Sequence, residues 1–132
     1  MDLHHVGIVV AKLSEATLLY EKCLGARRLG EVMEDEVQGV RIQLLQANDA
    51  TILELIEPIP GRESAFHTSG QFHLCYTVPD LDAEMQRLHD FGAVVTHPTI
   101  RSQLFGNQRM VFLATHSGQL LELLENSAME RQ

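Results

Sequence analysis

Leu3 to Val10 is a short β-branched run closed by Ala-Lys-Leu-Ser, which predicts a strand. From Ser14 to Leu24 the apolar residues Ala16, Leu19, Tyr20 and Cys23 fall at helical spacing, with Ser14 in the N-cap region and Gly25 as the glycine just past the end. Strands are then expected at about 27–35, 40–47 and 51–57, with turns at Gln38-Gly39 and Asn48-Asp49. Pro58-Ile-Pro-Gly61 breaks this order and opens a polar connector that reaches Gly70. The order then begins again. Phe72 to Val78 reads as a strand, Asp80 to Asp90 as an amphipathic helix ended by Gly92, and about 93–98, 108–114 and 119–125 as strands. Residues 126–132 read as a frayed polar tail.

Each half is therefore β-α-β-β-β, and the halves are copies in sequence as well as in pattern. At an offset of 68 residues His5 recurs as His73, Glu54 as Glu122, Val10 as Val78, Leu13 as Leu81, Arg41 as Arg109 and Leu45 as Leu113. Thr51-Ile-Leu-Glu-Leu-Ile-Glu57 matches Gln119-Leu-Leu-Glu-Leu-Leu-Glu125. Between Gly25 and Gly92 the offset slips to 67, so the helix or its exit differs by one residue. The pattern predicts one α+β domain over 1–132, with a first module at about 2–58, a connector at 59–70 and a second module at about 71–125.

The repeat also carries chemistry. Side chains alternate across a strand, so Glu54 shares its face with Ile52 and Ile56, and Glu122 shares its face with Leu120 and Leu124. A carboxylate set among apolar neighbours is costly to bury unless it finds a counter-charge. One His on an apolar strand is usually a satisfied core residue; two symmetric His with two symmetric Glu point instead to a metal site of His5, Glu54, His73 and Glu122. Two imidazoles and two carboxylates, with water completing the shell, suit Co, Mn, Ni, Zn or Fe, and ligand type does not choose among them. An open position on such an ion can polarise a carbonyl while a carboxylate moves a proton.

His4, His67, His89, His97 and His116 have no symmetric partners and read as surface or loop residues, His116 being notable because His116-Ser-Gly118 leads into the Glu122 strand. Glu34-Asp-Glu36 reads as a solvated turn, Glu57 and Glu125 as pointing away from the metal, and Arg41 and Arg109 as duplicated salt-bridge positions. No phosphate loop, nucleophile triad or nucleotide fingerprint is visible.

Composition narrows the classes further. The formal charge is −8, with no basic stripe, which argues against nucleic acid. There is no apolar run of ~18 residues, so no membrane span is expected. Met1-Asp-Leu-His-His lacks the basic and apolar regions of a secretory signal, so a cytoplasmic protein is expected. Cys23 and Cys75 then read as buried free thiols in preference to a disulfide.

With the duplicated β-α-β-β-β unit and the His/Glu quartet in hand, the chain resembles the vicinal oxygen chelate superfamily. That group includes glyoxalase I, extradiol dioxygenases, methylmalonyl-CoA epimerases and bleomycin-type resistance proteins. The resemblance covers residues 2–125 and implies two βαβββ modules forming an incomplete mixed β-barrel around a divalent metal, commonly in a homodimer. The segments Leu3-His-His-Val-Gly-Ile-Val-Val10, Gln38-Gly-Val40, Ile52-Leu-Glu-Leu-Ile-Glu-Pro58, Phe72-His-Leu-Cys-Tyr-Thr-Val78 and Leu121-Glu-Leu123 most resemble the epimerases.

That likeness implies His5, Glu54, His73 and Glu122 as metal ligands, and a small acyl-CoA such as methylmalonyl-CoA as substrate. The reaction implied is a 1,1-proton transfer with Glu122 as one acid/base. Gln38 is implied at the substrate, and Gln38 or Gln43 could orient a water. Epimerisation needs a second proton donor; the position where some family members carry a glutamate is here Ile42. The short connector Arg62 to Gly70 and the segment Gln103-Leu-Phe-Gly-Asn107 also depart from the family pattern, where a bulky substrate would lie. The alternatives are a glyoxalase I-like lactoylglutathione lyase, which uses a similar quartet but a different turn from Thr115-His-Ser-Gly118, and a non-catalytic small-molecule-binding or resistance protein. With no Trp and seven Phe and Tyr, the chain is poorly stocked for an aromatic-lined binding cleft.

Overall fold

The structure is a computed structural model that describes residues 1–64, 66 and 69–126; His67 and all but the first residue of the expected polar tail lie outside the described residues. The chain divides into two compact units, one running from His5 to Phe72 and the other from His73 onward together with Met1–His4. Among the described residues there are two helices and ten strands, an α+β composition with the same order in each unit.

The first unit holds most of β1 (Asp2–Val9), then α1 (Leu13–Leu24), β2 (Arg27–Arg28), β3 (Met33–Asp35), β4 (Val40–Gln46) and β5 (Ile52–Pro58). Its strands run in the order β2-β4-β5-β1, with β3 also on β4. β4 and β5 are antiparallel, while β5 and β1 are parallel, with Gly7 opposite Glu54. The second unit repeats this with β6 (Phe72–Val78), α2 (Leu81–Asp90), β7 (Val94–Val95), β8 (Ile100–Arg101), β9 (Arg109–Ala114) and β10 (Leu120–Glu125). Its order is β6-β10-β9-β7, with β8 on β9, and the parallel pair β10–β6 sets Glu122 opposite Cys75. Gly7 and Cys75 are themselves repeat-related.

In each unit one face of the sheet is covered by the helix. Leu13, Ala26, Leu45 and Leu55 are buried there in the first unit, with Ile8, Val10, Ala16, Tyr20 and Leu53 against them. In the second unit Val78, Leu81, Ala93, Val111, Leu113 and Leu123 do the same, with Tyr76, Met85 and Leu88. Full burial of each Leu or Val side chain here contributes about 1.5–3 kcal/mol. Helix α1 therefore turns Leu13, Ala16, Thr17 and Tyr20 inward, and Leu19 and Cys23, expected on that face, are exposed. Cys75 is buried, and neither cysteine is in a disulfide.

The expected strand at 27–35 is two short strands, because Gly30 adopts φ +76° and leaves the ladder between them. The expected strand at 93–98 shrinks to β7, and β8, unseen in the sequence, pairs beyond Pro98, which has no N–H to donate. The structure also corrects the start of α1. The helix begins at Leu13 with Lys12 at the N-cap, so Ser14 lies inside the first turn and caps nothing. The predicted end stands: Gly25 takes φ +70°, a left-handed cap that disfavours any residue with a Cβ.

The connector is more than a tether. Gly70 N–H donates to Val9 O and Val9 N–H to Gln71 O, Ile59 N–H donates to Gly39 O, and Phe66 is buried. Gly39 needs to be glycine, since a Cβ there would stand 2.6 Å from the Glu63 carbonyl oxygen. No helix among the described residues is long and apolar enough to cross a membrane.

Candidate functional site

The face of each sheet turned away from its helix carries the repeat-related His and Glu. Residues facing each other across an antiparallel pair share a side of the sheet. In the first unit that rule places Leu44 with Glu54 and Ile42 with Ile56 on the face opposite the helix-covered Leu45, Leu53 and Leu55. His5 and Glu54 are both buried, and His5 Nε2 lies 3.6 Å from Glu54 Oε1.

In the second unit Phe112 stands opposite Glu122 and Met110 opposite Leu124. His73 and Glu122 are 1% and 2% exposed, with His73 Nε2 3.0 Å from Glu122 Oε1. Phe112, itself buried, meets the His73 ring edge-on with centroids 5.3 Å apart, fixing the imidazole plane. The two units thus present the same pair, a buried imidazole nitrogen facing a buried carboxylate oxygen.

These spacings fit a divalent cation. Donors about 2.1 Å from one ion stand about 3 Å apart at a right angle and about 3.4 Å apart at the tetrahedral angle. Nitrogen and carboxylate oxygen are also the donor types that Mn, Fe, Co, Ni and Zn accept.

Other expectations fare differently. Ile42 is buried on the same face as Glu54, so an aliphatic side chain does stand where the second acid was sought. Gln43 cannot orient water beside Glu54. It faces the helix, 1% exposed, with Nε2 donating to Gly30 O (3.1 Å) and Leu44 O (2.9 Å). The amide nitrogen of Gln38 is held by Asp35: Nε2 donates to Oδ2 at 2.7 Å and the backbone N–H to Oδ1 at 3.0 Å. Asp35 is therefore a buried clamp for the Gln38-Gly39 turn, correcting the solvated-turn reading, whereas Glu34 is exposed and pairs with Arg41.

His4 stacks edge-on with Phe105 at 4.7 Å, while His89 and His116 are exposed. His97 merits more notice than its loop position suggested. Its ring lies 6.3 Å from Phe112, edge-on, and its Nδ1 is 2.8 Å from Thr96 Oγ1. Thr96 Oγ1 also donates to Phe112 O at 3.2 Å, which ties this pair to the strand facing Glu122.

Glu57 and Glu125 do point away from the His/Glu pairs, and the structure gives them a task. Glu57 Oε2 accepts from Leu13 N–H at 3.3 Å, and Glu125 Oε2 accepts from Leu81 N–H at 2.8 Å. Each final strand caps the helix of its own unit. Residues 44 apart in sequence gave no local signal for this.

Residues 4–112 match the glyoxalase/bleomycin resistance protein/dioxygenase superfamily. The chain belongs to that superfamily. It is 29% identical over 127 residues to the uncharacterized protein YwkD of Bacillus subtilis, covering 94% of this chain and 96% of that one. It is 32% identical over 99 residues to an ethylmalonyl-CoA/methylmalonyl-CoA epimerase of Cereibacter sphaeroides, covering 70% and 72%. The crystal structure of methylmalonyl-CoA epimerase from Mycobacterium tuberculosis superposes with a TM-score of 0.76 at 30% identity, covering 94% of this chain and 87% of that one.

Proposed function

We propose that the protein is a divalent-metal-dependent epimerase that moves a proton at the carbon next to the thioester of a small acyl-CoA, methylmalonyl-CoA being the model substrate. The observation that carries this reading is the duplicated His/Glu pair, set at ligand spacing on the face away from each helix. The epimerases among its relatives supply the substrate class. In this reading His5 and Glu54 of one module and His73 and Glu122 of the other close on a single cation. Bound there, the cation supplies Lewis acidity, which lowers the cost of charge developing on the acyl oxygen.

The chain's own groups do the rest. Glu122, flanked by Leu120, Leu124 and Phe112, is the first acid/base, and its apolar setting excludes competing water. Racemisation needs a second proton donor, which Ile42 cannot be. His97, whose ring meets the same Phe112 that packs on His73, is the group we assign to that step. Gln38 keeps a place at the substrate through its amide oxygen, since Asp35 holds the nitrogen. The protein acts in the cytoplasm, as a homodimer.

Ile42 also favours one second reading, glyoxalase I-like isomerisation of a glutathione hemithioacetal, because a proton shift between adjacent carbons on one face needs only one base. Incubation in deuterated water separates the two. Exchange of the α-proton of methylmalonyl-CoA, slowed about 10²-fold or more in Glu122→Gln, is expected. Turnover of the methylglyoxal–glutathione hemithioacetal without that exchange would transfer the assignment. Inertness toward both would leave a small-molecule binder.

A further inference from the structure

The two modules treat the N-terminus of their helix differently, and the difference leaves a cavity. In the second module Arg109 is locked between two carboxylates, with its guanidinium 3.0–3.1 Å from Glu125 and 3.1 Å from Asp82. The repeat sets Arg41, Glu57 and Ser14 at the corresponding positions of the first module. Ser14 has no carboxylate to offer. Arg41 turns instead to the exposed Glu34, and a cavity of about 300 Å³ opens, lined by Ser14, Thr17, Arg28, Arg41, Gln43 and Glu57.

Two guanidinium groups thus border a cavity that also offers two hydroxyls. Their present partners hold them weakly: Arg28–Glu21 and Arg41–Glu34 are surface pairs at 3.1 Å, with the Arg28 side chain 54% and the Arg41 side chain 39% exposed. The helix terminus is not what recruits a ligand here, since Glu57 already accepts from Leu13 N–H. Nor does Glu57 forbid an anion. Glu125 and Asp82 stand side by side on one arginine in the second module.

We propose that this cavity binds a small oxyanion, a carboxylate or a phosphate, whose oxygens take the place beside Arg41 that the Asp82 carboxylate takes beside Arg109. The planar fork of arginine matches either group. The site lies on the helix-covered side of the first module and does not depend on the metal reading.

The arginine Nε–Hε resonances of the full chain, followed by NMR while acetate and, separately, inorganic phosphate are added, test this. The Arg41 signal is expected to shift saturably with at least one of the two, and the responding anion names the source. Arg41→Ala should weaken the binding by about tenfold or more, read from Arg28 or by calorimetry. The decisive variant is Ser14→Asp, which installs the carboxylate of the other module. It should fold at least as stably as the parent, show the Arg41 signal already displaced toward its ligand-bound position, and no longer respond. Absence of a saturable response in the parent, or an undiminished response in Ser14→Asp, would overturn the proposal.

Discussion

The two modules agree in some duplicated positions and part in others. His5/Glu54 and His73/Glu122 occupy the same place, as do the strand carboxylates Glu57 and Glu125 that cap the helices. Around those caps the modules diverge. The second has Asp80, whose side chain accepts from Ala83 N–H at 3.1 Å, and the Arg109–Asp82–Glu125 cluster. The first has Lys12, with no side-chain cap, and Ser14. What a shared metal would require of both halves has been kept, while a local stabilising device has been kept in one and opened into a cavity in the other.

The core should show no such asymmetry. Leu55 and Leu123 are repeat-related and fully buried, each in the cluster under its own helix. Alanine at either position is expected to cost about 2–5 kcal/mol by denaturant unfolding, and to a similar extent. A large inequality would mean that the modules are not mechanically equivalent.

The caps come next. Glu125→Ala should cost about 1–2 kcal/mol and Glu57→Ala less, because the Glu125 bond to its helix is shorter and is shared with Arg109. Acid sharpens this contrast. The Arg109 guanidinium, and then Leu81 N–H, hold the Glu125 carboxyl below its ordinary value of 4.5. A carboxylate depressed in the folded state stabilises above the unfolded value and loses that contribution as pH falls through the folded one. The melting temperatures of the parent and Glu125→Gln should therefore differ near neutrality and converge in acid. A gap that persists to the lowest pH reached would refute the role given to ionised Glu125.

The smallest effects belong to the arginines. Arg109→Ala should lower the melting temperature and Arg41→Ala should leave it nearly unchanged, since only Arg109 is gripped by two acids, Glu125 and then Asp82, which raise its pKa further. Equal losses would contradict the asymmetry.

Much of this organisation was legible in the sequence because it is local or duplicated. Phe72–Val78 was marked as a strand to the residue, and the offset of 68 singled out the His/Glu pairs. The parts that were not legible rest on contacts across the chain. Ser14 looked like a cap, yet Glu57 from β5 takes the first helical N–H. Gln43 looked available to water, but the break between β2 and β3 at Gly30 brings a carbonyl to its amide on the helix side of the sheet. Asp35 read as solvated because strand pairing with Val40 could not be seen from its acidic neighbours.

The central claim is that both modules serve one cation, and metal content per chain tests it most directly. Elemental analysis of purified protein after dialysis, for the parent and for His5→Ala and His73→Ala, should give about one divalent ion per chain in the parent, with nearly complete loss in either variant. Two ions per chain, or retention of half the metal when one module is disabled, would contradict it.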